Sequence, residues 1–266
     1  MIVDRNTTTR SNHPAPAWAE AWVAGELSPA TQTTFAARLA EFTSSSLPIA
    51  AISTGVAPLA LTASPPDDDL QRSFSARRSE RTFAVEPMAA TQFERLVWSL
   101  VRAPTGAFPY ASAGGIRPVQ VLAAMVNVQH PLDGRVVAIE SLTSALIDLG
   151  ACSPWTRLAS AVGMFDPSAR PAVVFVVACA FDAITAKYGE RGGRFATIEA
   201  GHAVQNLVLR VAHDRLHAYE LGGSADRALL HLLGVGGLGL DVASVVCIGN
   251  APIETTERPI RRRWRR

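Results

Sequence analysis

The sequence predicts a layered domain of the α+β or α/β class, on three observations. Residues 171–179 (PAVVFVVAC) are apolar and mostly β-branched, as a strand covered on both faces must be. Residues 119–128 (VQVLAAMVNV) and 242–248 (VASVVCI) read as two more buried strands. Helical segments fall around them at 90–101, 141–149, 195–217 and 226–233, and strands separated by helices build a sheet with helices on its faces.

Upstream, Trp18 and Trp22, then Phe35, Leu39 and Phe42, recur at helical spacing, with Ser28 and Pro29 as cap and first helical residue. Residues 62–69 (TASPPDDD), two prolines followed by three acids, read as a linker. The expected organisation is an N-terminal helical extension and linker over 1–69 and a main domain over 70–266.

With 48% hydrophobic residues, the 266-residue chain has ample material for a large core. The best candidate for a membrane span, 47–62, falls short of the ~20 residues one needs and contains Pro48 and Pro58. Residues 1–13 are polar and lack the pattern of a signal peptide. Cys152, Cys179 and Cys247 are odd in number and widely spaced, which favours reduced thiols over a disulfide framework or a zinc site. The expectation is a cytoplasmic protein with no metal and no membrane partner. The net charge of +2 hides an asymmetry: six arginines and no acid lie from Arg258 onward, leaving the rest at −4. Nucleic-acid binders carry positive charge as a face on the fold, so a basic tail argues against that class.

Two apparent motifs carry little. Residues 234–239 (GVGGLG) fit the dinucleotide fingerprint, but a Leu-rich helix precedes them and a single strand follows, so a glycine-rich turn is the better reading. His213 and His217 have the spacing of two ligands on one helix face, yet no third ligand accompanies them, which favours a surface pair.

Three segments carry more. Residues 76–83 (ARRSERTF) place three arginines and a serine within five positions, and guanidinium forks with a hydroxyl suit a phosphate. Residues 109–118 (PYASAGGIRP) offer small residues whose backbone amides can approach a planar ligand. Lys187, followed by Tyr188, is the only lysine in the chain. A lysine whose pKa is lowered by burial can give up its proton near neutral pH where an arginine cannot, and the tyrosine adds a second proton-handling group.

The order of these pieces resembles the nitroreductase superfamily, and within it the SagB/McbC type of azoline dehydrogenase. The resemblance rests on RRSERTF at 77–83, SAGGIRP at 112–118, KYGERGGRFATIEAGHAVQNL at 187–207, LGGS at 221–224 and VVCIGN at 245–250. It implies an α+β fold with a central mixed or antiparallel sheet flanked by helices, in an intertwined homodimer. It further implies FMN, with Arg77, Arg78, Ser79 and Arg81 on its phosphate and ribityl chain. Ser112, Ala113 and Gly114 would approach the ring from the partner subunit, and Leu221, Gly222 and Gly223 would lie by its reactive edge. Gln205 and Asn206 would sit on the dimer helix, and Arg261 and Arg263 would complete the phosphate site. Lys187 and Tyr188 would be catalytic. The implied reaction oxidises thiazoline or oxazoline rings in a ribosomally made precursor peptide, in company with a cyclodehydratase. Two alternatives are an NAD(P)H-dependent nitro- or quinone reductase and an inactive flavin-binding scaffold.

Overall fold

The computed structural model describes residues 63–252 apart from Phe165 and Pro167. The chain opens with helix α1 (Asp69–Ala76), strand β1 (Met88–Ala89) and helix α2 (Ala90–Trp98). A single 3-10 turn (Ala113–Gly115) leads into β2 (Val119–Met125), β3 (Val128–Gln129), β4 (Arg135–Glu140) and β5 (Ala145–Ala151). Then come α3 (Trp155–Val162), β6 (Val173–Cys179), α4 (Phe181–Tyr188) and α5 (Arg191–His213). The described chain closes with β7 (His217–Leu221), α6 (Asp226–Leu232) and β8 (Asp241–Gly249).

Six strands form one sheet in the order β5-β4-β2-β6-β8-β7, with every neighbour antiparallel. The two-residue strands β1 and β3 pair in parallel separately. The architecture is therefore α+β. Seven consecutive buried residues make β6, because the sheet is covered on both sides. Val173, Phe175, Val177 and Cys179 face a core shared with α2 and α5. Val174 and Val176 face the opposite core, closed by Trp155, Leu158 and Val162 of α3 and Leu229 and Leu230 of α6. Burying each large side chain contributes ~1.5–3 kcal/mol, so this central strand is the anchor of the domain.

The 226–233 helix and the strands at 171–179 and 242–248 fall where the sequence places them, within two residues, and the 90–101 helix stops at Trp98. The strand expected over 119–128 breaks at Met125 and resumes as β3. The 141–149 helix is a correction: that segment is a turn leading into β5. The Glu140 carboxylate accepts from the Leu142 and Thr143 amides, and Ser144 turns the chain at a φ of 57°. This turn chemistry overrides the helical spacing of Leu142, Leu146 and Leu149. The long 195–217 helix starts earlier, at Arg191, and ends at His213. Asp214, whose side chain is 3% exposed, there draws in Arg95 and His213, and Arg215 takes a φ of 57°. His217 consequently belongs to β7, and its Nδ1 meets the Thr82 carbonyl at 2.8 Å, so the two histidines share no helix face. The 234–239 run is the glycine-rich turn expected, with Gly234, Gly237 and Gly239 at positive φ. The segment 14–45 lies outside the described residues. Among the described residues, no helix is long and apolar enough to cross a membrane.

Candidate functional site

The sequence-predicted residues gather into two clusters. The first lies along β7. After α1 the chain runs beside that strand, with the Glu80 amide donating to the Ala218 carbonyl at 2.7 Å. Arg81 Nη2 donates to Tyr219 Oη at 2.7 Å, and its guanidinium stands 4.2 Å from the centre of that ring. Arg77 caps α1 through its amide, and the Arg78 guanidinium donates to the Ser75 and Arg77 carbonyls. Arg77, Arg78, Ser79 and Arg81 are all exposed. Among the described residues, none of the three arginines has a carboxylate partner within ion-pair distance. Arg81, Thr82, Phe83 and Tyr219 border a cavity of about 430 Å³. Two residues beyond Tyr219, β7 ends at the buried Leu221, and Gly222 and Gly223 follow with their backbone exposed.

The second cluster is the turn ahead of β2. Gly114 has a φ of 58°, a left-handed conformation that costs any other residue type strain. A Cβ built on it would sit 2.7 Å from Lys187 Nζ and closer still to Tyr188 Oη. The lone lysine and its tyrosine therefore converge on this glycine, although they lie more than seventy residues downstream. They occupy the last turn of α4, and a tight corner into α5 holds them there. A Cβ on Gly192 would be 2.9 Å from the Ile184 backbone, so only glycine permits this approach of the two helices. The Tyr188 ring meets Phe195 edge-on at 5.2 Å, and Lys187 Nζ lies 5.3 Å from the centre of the tyrosine ring. Lys187 itself is exposed.

Helix α5 fixes the turn from beneath. Asn206 Nδ2 donates to the Pro109 carbonyl at 3.0 Å and to the Ser99 carbonyl at 3.4 Å, tying α5 to the loop and to the end of α2. Ser112 Oγ accepts from the Arg117 amide at 2.9 Å, which closes the turn on itself. Gln205 is exposed on the outer face of α5 beside Ile198, Gly201 and His202. Ala203, Val204, Leu207, Val208 and Val211 are buried within this same chain, so the surface α5 offers a neighbour is the Ile198, Gly201, His202 and Gln205 stripe. Arg261 and Arg263 lie outside the described residues.

Glu199, also on α5, is the site residue that sequence reasoning missed. It is 2% exposed, beneath Ser112 and Ala113. Burial pushes its carboxyl above the ordinary range, partly offset by Ser112, Arg117, the Ala113 amide and His202. Their own burial, with a carboxylate charge at Glu199 as the smaller cause, pushes the neighbouring Tyr110 and Cys179 up to about 12. The readable signal is a single acid at helical spacing from Ala196 and Ala203, within the buried stripe of α5.

A family model described as the nitroreductase family matches residues 74–250, well over half of the chain. The chain belongs to the nitroreductase family. It is thereby a flavin oxidoreductase of that family. No curated protein matches the sequence. A chain of the E. coli microcin synthetase McbBCD complex, solved with truncated pro-MccB17 bound, superposes with a TM-score of 0.64 at 20% identity, covering 82% of each chain. A protein from Ralstonia eutropha assigned as a nitroreductase gives 0.59 at 19% identity, covering 75% of this chain and 89% of its own. One from Anabaena variabilis with the same assignment gives 0.59 at 19%, covering 70% of this chain and 38% of its own. These likenesses bear on the fold.

The residues present fit a flavin. Three exposed guanidinium groups, without carboxylate partners among the described residues, suit its phosphate, and the small residues around Gly114 and Gly222 leave backbone open to a planar ring. The nitroreductase fold thus presents one cluster made of charge and another made of shape.

Proposed function

We propose that the protein is an FMN-dependent azoline dehydrogenase that oxidises thiazoline or oxazoline rings of a peptide to thiazoles or oxazoles. The observation that carries this reading is the convergence of the only lysine, through its amine, and the adjacent tyrosine hydroxyl on Gly114. A nitro- or quinone reductase has no use for a base at that position, whereas ring oxidation must remove a proton from carbon.

In this reading, Arg77, Arg78, Ser79 and Arg81 hold the FMN phosphate and ribityl chain, with Arg261 and Arg263 completing it. Ser112, Ala113 and Gly114 lie against the ring of a partner subunit's flavin, and Leu221, Gly222 and Gly223 against the ring of the chain's own. The exposed stripe of α5 that includes Gln205 is the dimer face, while Asn206 shapes the loop behind it. The Lys187 amine takes the proton from the ring carbon beside the carbonyl. Tyr188 orients the ring and relays a proton through its hydroxyl. When bound, the flavin would supply the two-electron oxidation of the adjacent ring carbon, with oxygen as the final electron acceptor. The ring loses one proton and one hydride and becomes aromatic. The McbBCD complex was solved with a pro-peptide bound, and by analogy the substrate here is an azoline-bearing precursor peptide delivered by a cyclodehydratase.

Incubating the flavin-loaded protein with an azoline peptide in air tests the reading by mass spectrometry. The expected result is the loss of two hydrogens per ring. Rapid NADPH-driven reduction of nitroarenes with no change in the peptide would overturn it.

A further inference from the structure

Glu199 has a property that neither packing nor the proposed chemistry accounts for. Both carboxylate oxygens are buried, and among the described residues neither closes a hydrogen bond. The Ser112 hydroxyl and the Ala113 amide are the nearest donors, but neither reaches full hydrogen-bond geometry. An ionised carboxylate in that position is expensive, and an apolar side chain of the same size would fill the space at no such cost.

The turn above it is closed by its own hydrogen bonds, from the Arg117 amide to Ser112 Oγ and from the Gly115 amide to the Ser112 carbonyl, but its backbone is strained. Gly114, Gly115 and Arg117 all have positive φ, at 58°, 69° and 55°. For Arg117 this conformation stores ~1 kcal/mol or more, which outside contacts must offset. The turn is attached on one side through Ser112 and Ala113, which lie on Glu199, and on the other through Gly114, which receives Lys187 and Tyr188. We propose that Glu199 is a positioning residue that supports the turn as an uncharged acid, and that its ionisation shifts the turn away from Lys187, Tyr188 and the flavin. The inference rests on the flavin-binding reading of that turn.

The groups facing the carboxyl are few. Tyr110, Ser112 and Arg117 come from the loop, His202 from the next turn of α5, and Cys179 from the end of β6. Tyr110 and Cys179 stay neutral across the physiological range, both pushed up to about 12. Arg117 is the one fixed charge in the group, so ionised Glu199 would be drawn toward it, at the residue that closes the turn. The folded chain holds this proton more tightly than the unfolded chain. The associated stability is therefore complete below the ordinary carboxylate range and is lost as pH rises through the elevated folded value.

The test compares wild type, Glu199→Gln and Glu199→Ala across pH, with FMN as the probe. Infrared spectra of wild type should show a protonated-carboxyl stretch that persists above the ordinary carboxylate range and is missing in Glu199→Gln. Wild-type FMN affinity, read by fluorescence quenching, should fall about tenfold as that band disappears on the alkaline side, equivalent to ~1.4 kcal/mol. In Glu199→Gln this decline should be absent, and the melting temperature should lose the matching pH dependence. Glu199→Ala, without any support, should bind FMN more weakly at every pH. The proposal is overturned if the band is missing from wild type, or if Glu199→Gln follows the wild-type affinity profile. A wild type that binds FMN with the expected pH dependence but leaves azolines untouched would sink the dehydrogenase reading and leave this inference standing.

Discussion

The arginine segment along β7 and the glycine turn against α4 are built by opposite means. Arg77, Arg78 and Arg81 are long, exposed side chains beside a strand edge, and among the described residues Tyr219 is the only side chain that fixes the position of one of them. The turn is fixed by backbone, with Asn206 on Pro109, Ser112 on Arg117 and Glu199 beneath, and it leaves no space for a methyl group at Gly114. Flexible charges can readjust around an anion when one is removed, so losses there should be graded. A backbone surface facing two reactive side chains has less freedom to readjust, so losses there should be steep.

The largest expected effect is at Lys187. Lys187→Ala should reduce azoline oxidation by ~10²-fold or more, the scale expected when a general base is lost, with the flavin spectrum unchanged. Lys187→Arg should give no rescue, because a guanidinium stays protonated. An arginine variant working at the wild-type rate would end the base assignment. Next comes the phosphate cluster. Arg77→Ala combined with Arg81→Ala should weaken FMN binding by ~10–100-fold, since a hydrogen bond to a charged group contributes ~1.5–3 kcal/mol. Each single variant should show part of that loss in a fluorescence titration, and undiminished affinity in the double variant would remove the phosphate from this segment. The smallest effect is on stability. Gly114→Ala should cost ~1–3 kcal/mol in denaturant unfolding, from the left-handed backbone alone. Wild-type unfolding together with wild-type turnover would show that the turn yields after all, and the contrast between the two clusters would collapse.

Much of this was legible in the sequence because it depended on local pattern. The buried strands at 171–179 and 242–248 declare themselves by unbroken apolar runs, and the 77–81 segment by its density of guanidinium groups. The β4–β5 hairpin did not, since three leucines at helical spacing outweighed a carboxylate cap whose effect shows only in the folded chain. Helices α3 and α4 lie between stronger signals and were not read. The meeting of Lys187 and Tyr188 with Gly114 is a tertiary fact, and so is the burial of Glu199, which looks like an ordinary helix-surface acid until its face of α5 is known. The extent of the flavin site at Arg261 and Arg263 lies outside the described residues.

The bond from Asn206 to Pro109 spans 97 positions in sequence. Until α5 is docked on the sheet, the 109–118 loop has only its own local hydrogen bonds to shape it, and closing so long a loop is slow. During synthesis the loop emerges well before the helix that completes it, so a nascent chain can already hold β2 and its neighbours yet have no place for the ring. Flavin capture would then wait on the docking of α5, and yellow colour in a refolding mixture would report that long-range contact.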